Sequence, residues 1–174
     1  MPIRHVTRGL IDGSMSSLGI VLGASFSGDP KVIIAASLGG AMANALSNIV
    51  GAMTAERADV MLKLAKYEKA MVGSDIKLKH TKIYEKERKK IMKGGILDGA
   101  ATLIGSIVPI APFVVLGLQD AAMVATFITL VLLFGLGIYI GKLSKENIVI
   151  AGSKMALFGV ATAILASSLE HLFR

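Results

Sequence analysis

The sequence predicts an all-α integral membrane protein: five transmembrane helices, with a short cytoplasmic helical insertion between the second and third. Three observations carry this prediction. The 174 residues are 53% hydrophobic with a mean hydropathy of +0.68, too apolar for a soluble domain of this size. The apolar residues fall into five stretches, each long enough to cross most of a bilayer core of roughly 30 Å at about 1.5 Å per residue. Twelve of the 19 Lys and Arg side chains crowd into the single extended polar region, 55–94. The expected organisation is therefore 1–54 for the first two spans, 55–94 for the insertion and 95–174 for the last three spans.

Several function classes drop out at once. The chain has no cysteine, so disulfides, thiolate metal sites and Cys nucleophiles are excluded. A net charge of +7 would suggest nucleic acid in a soluble chain, but the spans exclude a soluble nucleic-acid binder. His5, His80 and His171 are scattered with no paired catalytic spacing, so nothing points to an enzyme. The first apolar stretch lacks a small-residue cleavage site before a polar chain and reads as a span, not a removable leader.

In chain order, a short basic start with Arg4 and Arg8 precedes the first span, expected over 10–26. That span holds one carboxylate, Asp12, between Gly9 and Gly13, with further glycines at 19 and 23. Glycines at such spacing let a second backbone approach closely. A carboxylate there costs on the order of 2.5–3.5 kcal/mol at a bilayer centre and so calls for a cation, a proton or a donor. A turn follows at 27–31, with Asp29 placed to cap the next helix and Pro30 at its first position.

The second span is expected over 31–54. Gly40, Asn44, Ser47, Asn48, Gly51 and Ala55 share one face at helical spacing. Amides are expensive in lipid, so this face should look into the protein, either as a packing face or as the lining of a path. The 55–94 region carries twelve basic side chains against six acids, and reads as a helix over 56–72, a turn at 72–75 and a second amphipathic helix over 76–92. Such helices rest naturally on anionic lipid headgroups.

The third span, 95–118, opens with Gly95, Asp98, Gly99 and Gly105, in register with Gly9, Asp12, Gly13 and Gly19. Two segments with one acid between glycines suggest a duplicated unit meeting at a shared site, as internal repeats do in transporters. Both acids, read this way, begin their helices and could also serve as ordinary first-turn acids facing the helix dipole. Pro109 and Pro112 each remove one intrahelical bond, which leaves either a kink near the helix end or a break of the kind found along substrate paths. The fourth span, 121–141, is the most uniformly apolar and is expected to face lipid most. The fifth is expected over 148–169, with Lys154 near its start able to snorkel.

Five spans put the termini on opposite sides. Arg4, Arg8, the 55–94 region, Lys142, Lys145 and Lys154 share one side, whereas Lys31 and Arg174 fall on the other. The positive-inside rule then makes the N-terminus and the insertion cytoplasmic and puts the C-terminus outside, with the cell membrane favoured over a vacuole.

Taken together, the Asp12–Gly13 opening, the small-residue second span ending in Ala55-Glu56-Arg57-Ala58-Asp59, and Gly105 to Phe113 with its Pro-x-x-Pro-Phe segment resemble the vacuolar iron transporter family. The resemblance implies a homodimer of five-span subunits that exports ferrous iron, and often manganese, from the cytosol in exchange for protons. It maps the family's first-span aspartate onto Asp12. The glutamate and methionine that the family's second span usually carries fall here on Gly40 and Asn48, a departure that suits a harder ion such as Mn²⁺, since carboxylate and carbonyl oxygens suit it. The family's cytoplasmic glutamates leave Glu56, Asp59, Glu68, Glu85 and Glu87 as the plausible metal donors on the cytoplasmic side, in a region whose basic excess repels a divalent cation. The expected path is thus Asp12, Asn44, Asn48 and Asp98 for metal or protons, with Pro109 and Pro112 marking the helix break. The competing expectation is a non-transporting membrane protein whose basic helices bind anionic lipid or a protein partner.

Overall fold

The structure, a computed structural model, describes residues 2–70 and 81–173. Six helices follow in order: α1 (Pro2–Gly23), α2 (Pro30–Ala70), α3 (Lys82–Ile110), α4 (Pro112–Val115), α5 (Leu118–Ser144) and α6 (Ile148–Phe173), with a 3₁₀ turn at Ala24–Ser27 after α1. Five of them are long and apolar enough to cross a membrane, so the all-α, five-span class is what the chain adopts.

Local chemistry explains most of the boundaries. The Ser27–Lys31 turn closes with Gly28 at φ +67°, a conformation a side chain would resist. Asp29 then accepts the Lys31 N–H at 2.8 Å and Pro30 starts α2, as the sequence predicts. Asn147 does the same for α6, accepting from the Val149 N–H at 3.0 Å.

Three boundaries differ from the sequence reading. First, α1 starts at Pro2, not near residue 10, so the basic start is itself helical. Second, α2 runs unbroken for 41 residues through Ala55, about 60 Å at 1.5 Å per residue and twice a bilayer core. As far as residue 70, the expected 56–72 helix is therefore the continuation of the second span. Likewise α3 begins at Lys82 and passes through Gly94. No proline stands at either junction, and Gly94 and Gly95 are carried inside α3 by close packing against His5, Glu56 and Met53. Third, Pro109 lies inside α3, fully buried, and the helix ends only at Ile110. The Ala111 N–H still reaches the Ile107 carbonyl at 2.9 Å, and Pro112 opens the short α4. The prolines bend the end of the span and do not interrupt its middle. The expected turn at 72–75 and the start of the next helix at 76 lie outside the described residues.

Without a hydrophobic force between helices in lipid, close packing and hydrogen bonds must hold the bundle. The α1–α3 pair is the most extensive contact. These helices run parallel: Gly9 lies on the α3 backbone at Asp98 and Thr102, and Gly13 lies one turn on, against the Thr102 carbonyl. Gly105 returns the contact against the Leu10 carbonyl. The two halves of the predicted repeat do pack together, but their glycines serve different partners, since Gly95 and Gly99 receive Met53 and Ile49 of α2.

The α5–α6 hairpin is a second unit. A seam of Ala121, Ala125, Thr129, Leu133, Gly137 and Gly141, one residue per turn, is buried along α5. Because of that seam the most apolar helix is not the most exposed: 17% of the apolar window of α6 is buried against 28% for α5. The apolar core of Leu18, Val21, Leu22, Ile33, Ile110, Phe113, Ala121, Ala125 and Ala166 fills one end of the bundle. Most charged side chains gather at the other, although Asp29, Lys31 and Asp120 stand at the core end.

Candidate metal path

Helix α1 supplies a polar stripe. Starting the helix at Pro2 brings His5, Arg8 and Asp12 into positions i, i+3 and i+7, close to one face. Neither acid of the repeat stands in a first turn: Asp12 is ten residues into α1 and Asp98 sixteen into α3. The first-turn reading of both carboxylates is overturned, because the helices extend backwards through their basic approaches.

The Asp12 carboxylate is half-buried and accepts one hydrogen bond, from the Asn48 amide at 2.5 Å. The same amide nitrogen donates to the Thr102 hydroxyl at 2.9 Å. Asn44, one turn away, donates to Ser16 at 2.7 Å, and Ser16 in turn donates to the Asp12 backbone carbonyl at 2.6 Å. Of the two second-span amides, Asn48 meets the Asp12 carboxylate directly, while Asn44 reaches Ser16 one turn away. With its nitrogen committed, Asn48 keeps a carbonyl oxygen for a cation. Beside Asp12 a cavity of about 490 Å³ opens, lined by Arg8, Ile11, Met15, Asn48, Gly51 and Ala52.

Gly40 also faces inward, against Ile20 of α1, but the other small residues of this face depart from expectation. Ser47, Gly51 and Ala55 are exposed on the bundle's outside, and with Gly39 and Ala43 they make a flat stripe along α2. The asparagines turn inward because α1 offers them a carboxylate and a hydroxyl. Nothing among the described residues covers the small residues beside them.

Asp98 sits in different surroundings. It is fully buried, and its Oδ2 accepts from the Arg8 guanidinium and faces His5 Nδ1 at 3.4 Å. Its Oδ1 has no partner among the described residues. His5 Nε2 reaches Glu56 at 2.7 Å, so one imidazole links a carboxylate of α2 to one of α3. A cavity of about 660 Å³ lies above, where Glu56, Asp59 and Glu87 share the walls with Arg4, Lys63, Lys90 and Lys93. Glu87 is paired with Lys90 at 2.5 Å. Glu68 and Glu85 do not line this cavity. Among the described residues no three His, Cys, Asp or Glu side chains are grouped to hold a metal ion, so Glu56, Asp59, Glu68, Glu85 and Glu87 do not form a cluster there.

Sequence reasoning missed His5, Arg8, Thr102 and Met15. The first two were legible only with α1 extended to Pro2. Met15 stands three residues after Asp12, a helical neighbour whose thioether lines the same cavity.

Fold and site together define an integral membrane protein of five candidate spans with a carboxylate set among amides and glycines inside them. A model of the VIT family matches residues 50–170. The chain is also 48% identical over 170 residues to the uncharacterized protein MJ0645 of Methanocaldococcus jannaschii, across 98% of this chain and 89% of that one. The chain belongs to the VIT family, and that membership supports metal transport over enzymatic chemistry. The family match begins inside α2, so Asp98, Pro109 and Pro112 fall within it while Asp12, Asn44 and Asn48 lie ahead of it.

Proposed function

We propose that this protein moves a divalent transition metal, Fe²⁺ or Mn²⁺, out of the cytosol in exchange for protons, with Asp12 as the group that exchanges them. The observation that carries this reading is the Asp12 carboxylate: half-buried in an apolar span, held by one amide, and open to a cavity with a carbonyl oxygen and a thioether nearby. Such a carboxylate can carry a proton or a metal but not both, which is the exclusion an antiporter needs.

One chain presents half a site. A single carboxylate and two amides are too few oxygens for a dehydrated divalent cation. The exposed Gly39, Ala43, Ser47 and Gly51 stripe permits close approach of a second α2, so a homodimer would bring two Asp12 side chains toward one axis. Asp98 contributes indirectly: it holds Arg8 at the edge of the Asp12 cavity, with His5 and Glu56 behind it. Metal arrives past Glu56, Asp59 and Glu87, which share the charged cavity; Glu68 and Glu85 stand apart from that route.

The test is divalent-metal flux in proteoliposomes across a panel of ions, with and without a pH gradient. Wild type should carry Fe²⁺ or Mn²⁺ and move protons the other way. Flux at the normal rate by Asp12→Asn would end the proposal.

A further inference from the structure

A groove between α2 and α3, lined by no residue of α1, pairs two arginines with apolar walls. At its outer end stand Arg57 of α2 and Arg88 of α3, with the Tyr84 phenol beside them. Toward the apolar end the walls are Val50, Met53 and Met92. The groove encloses about 540 Å³ and no carboxylate lines it. The charged cavity on the α1 side, by contrast, mixes its cations with three acids. Neither arginine is paired with an acid among the described residues.

The register of the two helices sets the depth of this groove. On α2 the residues between Lys31 and Glu56 are uncharged, so Arg57 stands at the edge of the apolar stretch. Met53 lies one turn, and Val50 two turns, toward the apolar side. On α3, Met92 lies one turn below Arg88 in the same sense. Val50 is 64% and Met92 47% exposed, apolar surface that nothing among the described residues covers and that acyl chains would meet in a membrane. Two guanidinium forks and a phenol therefore sit at headgroup level directly above an apolar trough. Guanidinium groups match phosphate oxygens in paired hydrogen bonds, and an unpaired arginine at an anionic interface gains from a phosphate there.

We infer that the α2–α3 groove at Arg57, Arg88 and Tyr84 is a binding site for an anionic phospholipid, with the phosphate on the two arginines and an acyl chain along Val50, Met53 and Met92. The inference rests on the five-span membrane fold and does not depend on metal transport. A soluble phosphate would satisfy the arginines but leave the trough uncovered.

The experiment uses the full chain in phosphatidylcholine nanodiscs doped with spin-labelled phosphatidylglycerol. Wild type should prefer phosphatidylglycerol over phosphatidylcholine. The Arg57→Gln/Arg88→Gln variant should lose that preference by about ten- to thirty-fold, while Lys66→Gln, an exposed lysine of α2 outside the groove, should keep it. Arg57→Lys/Arg88→Lys keeps the charge and should retain an intermediate preference; it also carries the test if the glutamine pair fails to fold. Adding millimolar inorganic phosphate should leave the bound lipid in place. An equal loss in Lys66→Gln, no preference in wild type, displacement by inorganic phosphate, or self-crosslinking of a Met92→Cys variant across two copies would each overturn the proposal.

Discussion

Asp12 and Asp98 occupy matching places in two copies of one short pattern, yet the bundle treats them in opposite ways. Asp98 is fully buried and is met by a guanidinium and an imidazole. Asp12 is half-buried, is met by one neutral amide, and looks into a cavity. The difference comes from what each helix packs against. The glycines around Asp12 receive the α3 backbone, which leaves the acid at the rim of the α1–α2 contact. The glycines around Asp98 receive α2 side chains, and the basic first turns of α1 lie over the acid. A buried carboxylate held by a fixed guanidinium already has its counter-charge, whereas one met only by an amide can take a mobile cation. Of the two acids in this repeated pattern, one is tied into the packing and the other faces an open cavity.

The comparison can be broken most severely at Asp12. Asp12→Asn should lower metal flux by about 100-fold or more, the scale expected when a group that acts directly is removed, while leaving the melting temperature in detergent nearly unchanged. A variant that melts early but still transports would reverse the roles of the two acids. Next in size is the backbone contact that separates them. A side chain at Gly13 would run into the Thr102 carbonyl, so Gly13→Leu should cost about 3 kcal/mol or prevent assembly, read by thermal unfolding. Gly95→Ala would press on Met53 Cγ and lie 3.0 Å from the Ile49 carbonyl, and about 2 kcal/mol is expected.

Asp98→Asn should destabilise by about 2 kcal/mol, less than the roughly 3–5 kcal/mol of a fully buried pair because the Arg8 side chain is 46% exposed. Adding Arg8→Gln to it should recover part of that loss, and a strictly additive double variant would show that the pair does not couple. The smallest effect belongs to Asn48→Ala. It removes two hydrogen bonds of the Asp12 carboxylate and Thr102, with an expected cost of about 1 kcal/mol and about a tenfold drop in flux.

How much of the site was legible follows from the same residues. Asn44 and Asn48 at helical spacing, opposite a lone acid, pointed to the contact that Asn48 makes with Asp12. Arg8 and His5 were hidden by the choice of where α1 begins, since a basic start ahead of an apolar run carries no period of its own. The same choice made both acids look like first-turn residues. The second span's small residues were expected to face inward as a set. Only the asparagines found donors and acceptors there, while Ser47 and Gly51 stayed outside. Pro109 looked like a break because the lost hydrogen bond is visible in one dimension and the packing that buries the ring is not.

Composition and period alone determined that this chain is helical, crosses a membrane five times and keeps most of its cations at one end. Those properties follow from the cost of leaving peptide groups or charges in hydrocarbon, which every residue reports independently. Which acid is tied to arginine and which stays open, where the long helices continue past the bilayer, and which face of α2 is left bare were decided only by tertiary structure. They depend on which backbone a glycine admits, a contact between residues some ninety positions apart.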